Sequence, residues 1–296
     1  MVSVARFEQA IPARVFFDPA WLFVSQGTRD DESTIDGWCL CYPPSVANQT
    51  QLNQQASGMI EVAAVCWSNQ ADSTVGADLL QAVERQAVER LSAGADHHRI
   101  VAGVVRDDRY GLAGLNPIGH GIGVPMHDHR LVAALQRHGY HQRVRIIRMI
   151  AAVSGYRPPV NRETMQLRRT GQVEFSQDYR QDARSAAAVS HLDIETHRLL
   201  DAAEKELAQL QVWFSDPEAE VMNPAQAILD LSSLQNSGQV SVAESYLIGT
   251  IIQSLVVRGI AMIETAVDEH AGSLVEQLKG LHFQPQETGI QWQKEF

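Results

Sequence analysis

Two sets of apolar positions recur along the chain at unchanged internal spacing, and this repetition restricts the fold more than any single motif. Val75, Leu79, Leu80 and Val83 reappear as Ala243, Leu247, Ile248 and Ile251. His127, Leu131, Val132, Leu135 and Tyr140 reappear as His270, Leu274, Val275, Leu278 and Phe283. Steps of three and four residues put the apolar members of each set on one helical face. Each half then runs strand, loop, helix, strand, helix, aromatic, strand, the pattern of a tandem duplication. A chain of 296 residues has room for two such domains, each with its own core.

The first copy is the more explicit. Residues 59–67 (Met-Ile-Glu-Val-Ala-Ala-Val-Cys-Trp) read as a strand, residues 68–74 as a polar loop, and residues 75–94 as a helix stopped by Gly94. Residues 100–105 form a short apolar run of parallel-strand type. Strand, helix and strand make a βαβ unit with a right-handed crossover. A strand that enters a helix N-terminus through a loop is an anion-binding device. The first N–H groups have no partner inside the helix, and the dipole favours negative charge there.

The remaining segments fill in an α/β chain. Residues 21–25 and 37–42 read as a hairpin interrupted by polar residues 27–34. A glycine-rich loop at 111–125, a helix at 128–138 and a strand at 143–152 complete the first domain, placed at 1–154. Pro158-Pro159 marks the boundary, and the second domain is placed at 160–296. Within it, residues 162–175 read as extended and 183–210, rich in Ala, Leu and Glu, as helical. Strands follow at 227–231, 260–264 and 289–294, with helices at 240–257 and 273–279.

Several functions are excluded by composition and spacing. A net charge of −11 opposes general nucleic-acid binding through phosphate neutralisation. Arg130, Arg137, Arg143, Arg145 and Arg148 nonetheless form a local basic run. The three cysteines, Cys39, Cys41 and Cys66, make neither a disulfide framework nor a zinc spacing. His120, His127, His129, His138 and His141 fit no zinc pattern, so no metal is expected. Gly114–Gly123 lacks the Lys-Ser/Thr of a nucleotide loop, and the Gly119, Gly121, Gly123 series lacks the dinucleotide spacing. No run of about 18 apolar residues could span a bilayer. With no signal peptide at its start, the cytoplasm is the expected location.

The order of elements, with residues 227–294 and 111–140 as its clearest stretches, resembles the Gcn5-related N-acetyltransferase (GNAT) family in its tandem-domain bacterial form. In the second half the resemblance rests on Ile228-Leu229-Asp230, on the helix after it, on the strand leading to Glu264, and on Leu278 through Phe283. It covers most of the chain and implies two GNAT-like modules, each a mixed sheet flanked by helices. It also implies acetyl-CoA as the acyl donor, held by a loop of pattern Arg/Gln-x-x-Gly-x-Gly/Ala.

Carried over to the first module, the cofactor would meet the backbone of Val65, Cys66 and Trp67. Its diphosphate would meet Ala71, Asp72, Ser73, Thr74, Val75, Gly76 and Ala77, of which only Gly76 matches the motif. In the second module the loop Gln239-Val240-Ser241-Val242-Ala243-Glu244 keeps only its leading Gln. Glu61 corresponds to the family's proton-accepting carboxylate, and Glu264 lies on the later strand of the second half. Both positions that carry a thiolate-protonating tyrosine in the family are leucine, Leu135 and Leu278. Two readings follow from the resemblance. One is acetyl transfer from acetyl-CoA to a small-molecule or peptide amine, with the first module as the cofactor site. The other is a GNAT-fold protein that no longer catalyses and serves as a binding or scaffold module. The oligomeric state is left open.

Overall fold

The computed structural model describes residues 17–29, 32–42, 59–72, 74–90, 99–103, 121–178, 183–215, 225–235 and 238–295, with single positions 8, 11, 12, 105 and 223. Ser73, Gly94 and most of the glycine-rich loop lie outside the described residues. Two compact units are present, and they interleave along the chain. One comprises Phe16–Val105, Ile122–Arg145 and Thr288–Phe296; the other is built mainly from Ile146–Glu287. The boundary placed at 154–160 is therefore not where the compact units divide, because the last residues belong to the first unit.

The sheet of the first unit starts as the expected hairpin. Strands β1 (Leu22–Arg29) and β2 (Glu32–Tyr42) pair antiparallel, with Gly27 opposite Thr34 and Thr28 opposite Ser33. Residues 27–29 and 32–34 thus belong to the strands rather than interrupting them. Strand β3 (Met59–Trp67) joins β2, and β4 (Arg99–Ala102) joins β3 in parallel, Met59 opposite Arg99 through Val62 opposite Ala102. Helix α1 (Val75–Arg90) is their crossover. The two-residue strand β5 (Val124–Pro125) and helix α2 (His129–Arg137) follow, α2 capped by Asp128 Oδ1 accepting from Leu131 N at 3.1 Å. The core joins Ile60, Val62, Leu79, Leu80, Ile100 and Leu135 to Trp292, which comes from the far end of the chain.

In the second unit, strand β6 (His141–Ala152), through its residues from Ile146 on, pairs with the strand Met262–Asp268, and helix α3 (Arg162–Thr170) comes next. Residues 162–175 are thus not one extended segment. Asn161 and Thr164 form a reciprocal capping box that starts a helix, and only β7 (Gln172–Gln177) is extended. The expected helix at 183–210 is also corrected. A short helix α4 (Ala183–Ala188) precedes a hairpin of β8 (Leu192–Leu200) and β9 (Glu206–Ser215). Ala, Leu and Glu favour helix only weakly, and a period-two burial of Leu192, Ile194 and Thr196 against the sheet overrides that preference.

The unit closes with β10 (Gln226–Asp230), α5 (Ser232–Gln235), α6 (Val242–Leu255), β11 (Met262–Asp268), α7 (Gly272–Gly280) and the start of β12 (Gln284–Glu295). β10 and β11 are parallel, as β3 and β4 are. Leu247, Ile248, Ile251, Leu274, Leu278 and Phe283 all reach the core, matching the buried Leu79, Leu80, Val83, Leu131, Leu135 and Tyr140. The repeat read from apolar spacing is a repeat of core positions. Among the described residues no helix is long and apolar enough to cross a membrane.

Candidate functional site

In both units the two parallel strands part. β3 stays paired with β4 only to Val62, where Gly103 N donates to Val62 O at 3.1 Å. Gly103 then turns the chain at φ +90°, and a Cβ there would lie 2.8 Å from Val124 N, so only glycine is accommodated. Residues Ala63–Trp67 run on against β2 alone among the described pairings. In the second unit the pairing ends at Ile228 opposite Glu264. The next residue on β11, Thr265, is 1% exposed, and its hydroxyl has no hydrogen-bond partner among the described residues.

The loop before α1 is closed by its own atoms. Asp72 Oδ1 accepts from Thr74 N at 3.0 Å, and Asp72 O accepts from Val75 N at 3.2 Å. Ser68 Oγ accepts from Gln70 N at 3.1 Å, and Ser68 O from Ala71 N at 3.2 Å. A carboxylate therefore already lies at the positive end of α1, with Asp78 in the same first turn. Thr74 is exposed, Ala77 half-buried, and Val75 and Gly76 buried.

Gly76, the one residue that matches the family motif, has an internal reason to be glycine. A Cβ there would stand 2.9 Å from Cη2 and Cζ2 of Trp67. The indole lies over the glycine, and the Arg130 guanidinium sits 4.9 Å from the indole centroid. Arg130 also donates to Asn69 Oδ1 and, at 3.2 Å, to Ser68 O. It thus fastens α2 to the loop and is the one member of the basic run at this position. Gly76→Ala is expected to cost about 1–3 kcal/mol by forcing the indole aside. Urea denaturation measures it, and unchanged stability would mean that the indole does not rest there.

The other predicted residues divide between two faces. Val65 joins the core with Ile60 and Val62; the register slip between Leu40 and Cys41 is what brings these odd-spaced residues to one side. Glu61 alternates to the opposite face and is 9% exposed, on the side where the exposed Arg143 feels its charge. Burial and Arg99 lower the pKa of Arg143, and Glu61 opposes them. Arg143 donates to Gln291 Oε1 at 2.7 Å, and Gln291 donates to Gly103 O at 3.2 Å. Glu61 thus lies on the face of the sheet opposite the one that carries α1. Cys66 is held neutral, its thiol pushed up to about 11 by burial and then by Cys39 and Asp128, which argues against a nucleophile.

The corresponding cradle in the second unit is also filled. Ser241 caps α6, with Glu244 Oε2 accepting from Ser241 N at 2.6 Å and Ser241 Oγ accepting from Glu244 N at 3.2 Å. The Gln277 amide brackets Val240, accepting from its N at 2.6 Å and donating to its O at 3.3 Å. Leu135 and Leu278, at the family's tyrosine positions, are both fully buried. Among the described residues no group of three or more metal-ligating side chains converges.

One cluster was hidden by the helical reading of 183–210. Glu195 Oε2 accepts from Arg258 Nη1 at 2.7 Å and lies 3.3 Å from His197 Nε2. Arg258 stacks 4.0 Å above the Phe214 ring. Burial lowers the pKa of His197, and the nearby Glu195 only partly opposes it.

No family model matches the chain, and no curated protein is similar to it in sequence. Solved structures are similar in fold. A tandem GNAT protein from the clavulanic acid biosynthesis pathway is 12% identical with a TM-score of 0.56, over 94% of this chain and 85% of that one. The glucosamine N-acetyltransferase region of a fungal multi-domain GH3 beta-N-acetylglucosaminidase is 11% identical with a TM-score of 0.59, over 98% of this chain and 34% of that one. A GCN5-related N-acetyltransferase from Sphaerobacter thermophilus is 9% identical with a TM-score of 0.50, over 90% and 78%. At such identities the likeness is one of fold, and the fold is that of a tandem GNAT protein.

Proposed function

We propose that this chain is a GNAT-fold binding or scaffold protein that does not carry out acetyl transfer. The observation behind this reading is that both helix N-termini to which the fold would bring a cofactor diphosphate are occupied by the chain's own carboxylates, Asp72 and Glu244. A helix N-terminus favours a negative charge by about 0.3–1 kcal/mol. A carboxylate about 4 Å from a phosphate charge opposes it by about 1 kcal/mol in bulk water and about 4 kcal/mol near a protein surface. Salt lowers both figures without reversing their order. Repulsion therefore dominates, and acetyl-CoA does not fit either cradle as it is filled.

A second reading is supported by Arg130, whose guanidinium stands beside the first loop and uses two of its five N–H donors there. With Asp72 offset by Arg130, the first module would hold acetyl-CoA and acylate a small-molecule or peptide amine.

Melting curves with and without millimolar acetyl-CoA separate the two. Under the first reading the wild-type midpoint does not move, and Asp72→Asn or Glu244→Gln creates a shift by removing the repulsion. A ligand at a hundred times its Kd adds about 2.7 kcal/mol, so occupancy is readily seen. A wild-type shift that is abolished by Arg130→Ala or Gly76→Asp would overturn the first reading and favour the second.

A further inference from the structure

The second unit carries a groove that neither reading uses. It is ≈ 360 Å³ in volume and runs between α3 and α6, with the segment Arg157–Val160 along its rim. Helix α6 contributes Tyr246, Thr250 and Gln253, one face at steps of four and three residues, and α3 contributes Thr164, Met165 and Arg168. The two helices pack directly against each other. Pro158 is seated on α6 at Gly249, where a Cβ would come within 2.9 Å of the proline ring. A smaller cavity of ≈ 290 Å³ shares Pro159, Thr164 and Ser245 with the groove and extends it toward Ser241 and Gln277.

Charge and polarity in this groove are one-sided. Among the described residues that line it, Arg157 and Arg168 are the only charged ones and none is Asp or Glu, in a chain whose net charge is −11. Neither guanidinium has an ion-pair partner among the described residues. Beside them, Val160 is 75% and Met165 48% exposed, apolar surface without a cover among the described residues. Tyr246 is half-buried and adds an aromatic ring. The Thr250 hydroxyl is committed to Tyr246 O at 2.9 Å, so the selectivity of the site rests on the arginines and the apolar wall.

We propose that this groove binds an amphipathic organic oxyanion, its phosphate or carboxylate taken by Arg157 and Arg168 and its apolar body laid along Val160, Met165 and Tyr246. Guanidinium groups suit both oxyanions, because their parallel N–H donors match two acceptor oxygens. The volume lies within the range of small-molecule sites. Arg157, Arg168, Val160 and Met165 belong to neither cradle, so the proposal holds whether or not acetyl-CoA binds.

Calorimetric titration of the full chain with 1-naphthyl phosphate and with 1-naphthoate tests the proposal and tells which oxyanion is preferred. Binding is expected for at least one, weakened about tenfold or more in the Arg157→Ala/Arg168→Ala variant. Met165→Glu, which sets a carboxylate in the groove, should also weaken it. Arg169→Ala, the same charge change on the same helix but outside the groove, should leave it unaltered. All substituted side chains are exposed, and unchanged far-UV circular dichroism confirms the fold. The proposal is overturned if neither ligand binds at millimolar concentration, or if Arg169→Ala weakens binding as much as the double variant. It is equally overturned if inorganic phosphate or uncharged naphthalenemethanol binds as tightly as the naphthyl anions.

Discussion

Trp292→Ala should destabilise the first unit by about 3–5 kcal/mol, as expected for truncating a fully buried aromatic side chain. Trp292 is 1% exposed and packs in the same core as Ile60, Leu80, Ile100 and Leu135. Its strand β12 completes the sheet: Trp292 lies opposite Ala102, and Gln293, Lys294 and Glu295 continue the ladder along Val101, Ile100 and Arg99. The indole N–H is buried without a hydrogen-bond partner among the described residues. Trp292→Phe should therefore cost much less than the alanine change, because it removes an unsatisfied donor while keeping most of the ring. Urea denaturation followed by near-UV circular dichroism measures both. A cost under about 1 kcal/mol for alanine would mean that β12 is not seated on β4. The same geometry predicts that residues 1–154 alone would not reach native stability, since they lack the strand that closes their sheet.

What could be read in the sequence follows from the range of the interactions involved. The repeated helices were legible because the spacing of Leu79, Leu80 and Val83, and of Leu247, Ile248 and Ile251, is fixed by the helix itself. β3 and β4 were legible as continuous apolar runs, which parallel strands covered on both faces require. The hairpin at Leu192–Ser215 was not, because Ala, Leu and Glu carry a local helical preference that pairing across the turn overrides. Helix α3 has no buried residue, so its apolar pattern was thin; the Asn161–Thr164 box was the available signal. The place of β12 in the first unit depends on pairing with a strand nearly two hundred positions away, which no local pattern encodes.

For the candidate site the same division holds. In the sequence, Asp72 and Glu244 stand only as departures from the loop motif. The folded chain adds that each carboxylate accepts a backbone hydrogen bond where its helix begins, and that a Cβ at Gly76 would meet the Trp67 ring. Arg130 was one of five arginines in a run; only the packing of α2 singles it out.

The role of Glu264 gives the other large expected effect. The resemblance sets it on the later strand of the second half, yet its carboxylate lies 3.3 Å from Arg148 Nη1, while Arg148 Nη2 donates to Glu287 Oε2 at 2.9 Å. The three side chains are 10–16% exposed and tie β6, β11 and β12 together within the second unit. Arg148→Met would leave two carboxylates close together in a site with little access to water. Removing one partner of a buried ion pair costs about 3–5 kcal/mol, and the slight exposure here favours the lower figure, about 3 kcal/mol. Neutralising the carboxylates as well, in Arg148→Met/Glu264→Gln/Glu287→Gln, should recover most of the loss, because no uncompensated charge then remains. Denaturant midpoints of the single and triple variants decide it. If Arg148→Met proves as stable as wild type, the network is not structural and Glu264 becomes free to be argued as a proton acceptor. If the single variant is destabilised and the triple variant restored, its carboxylate is committed to holding three strands.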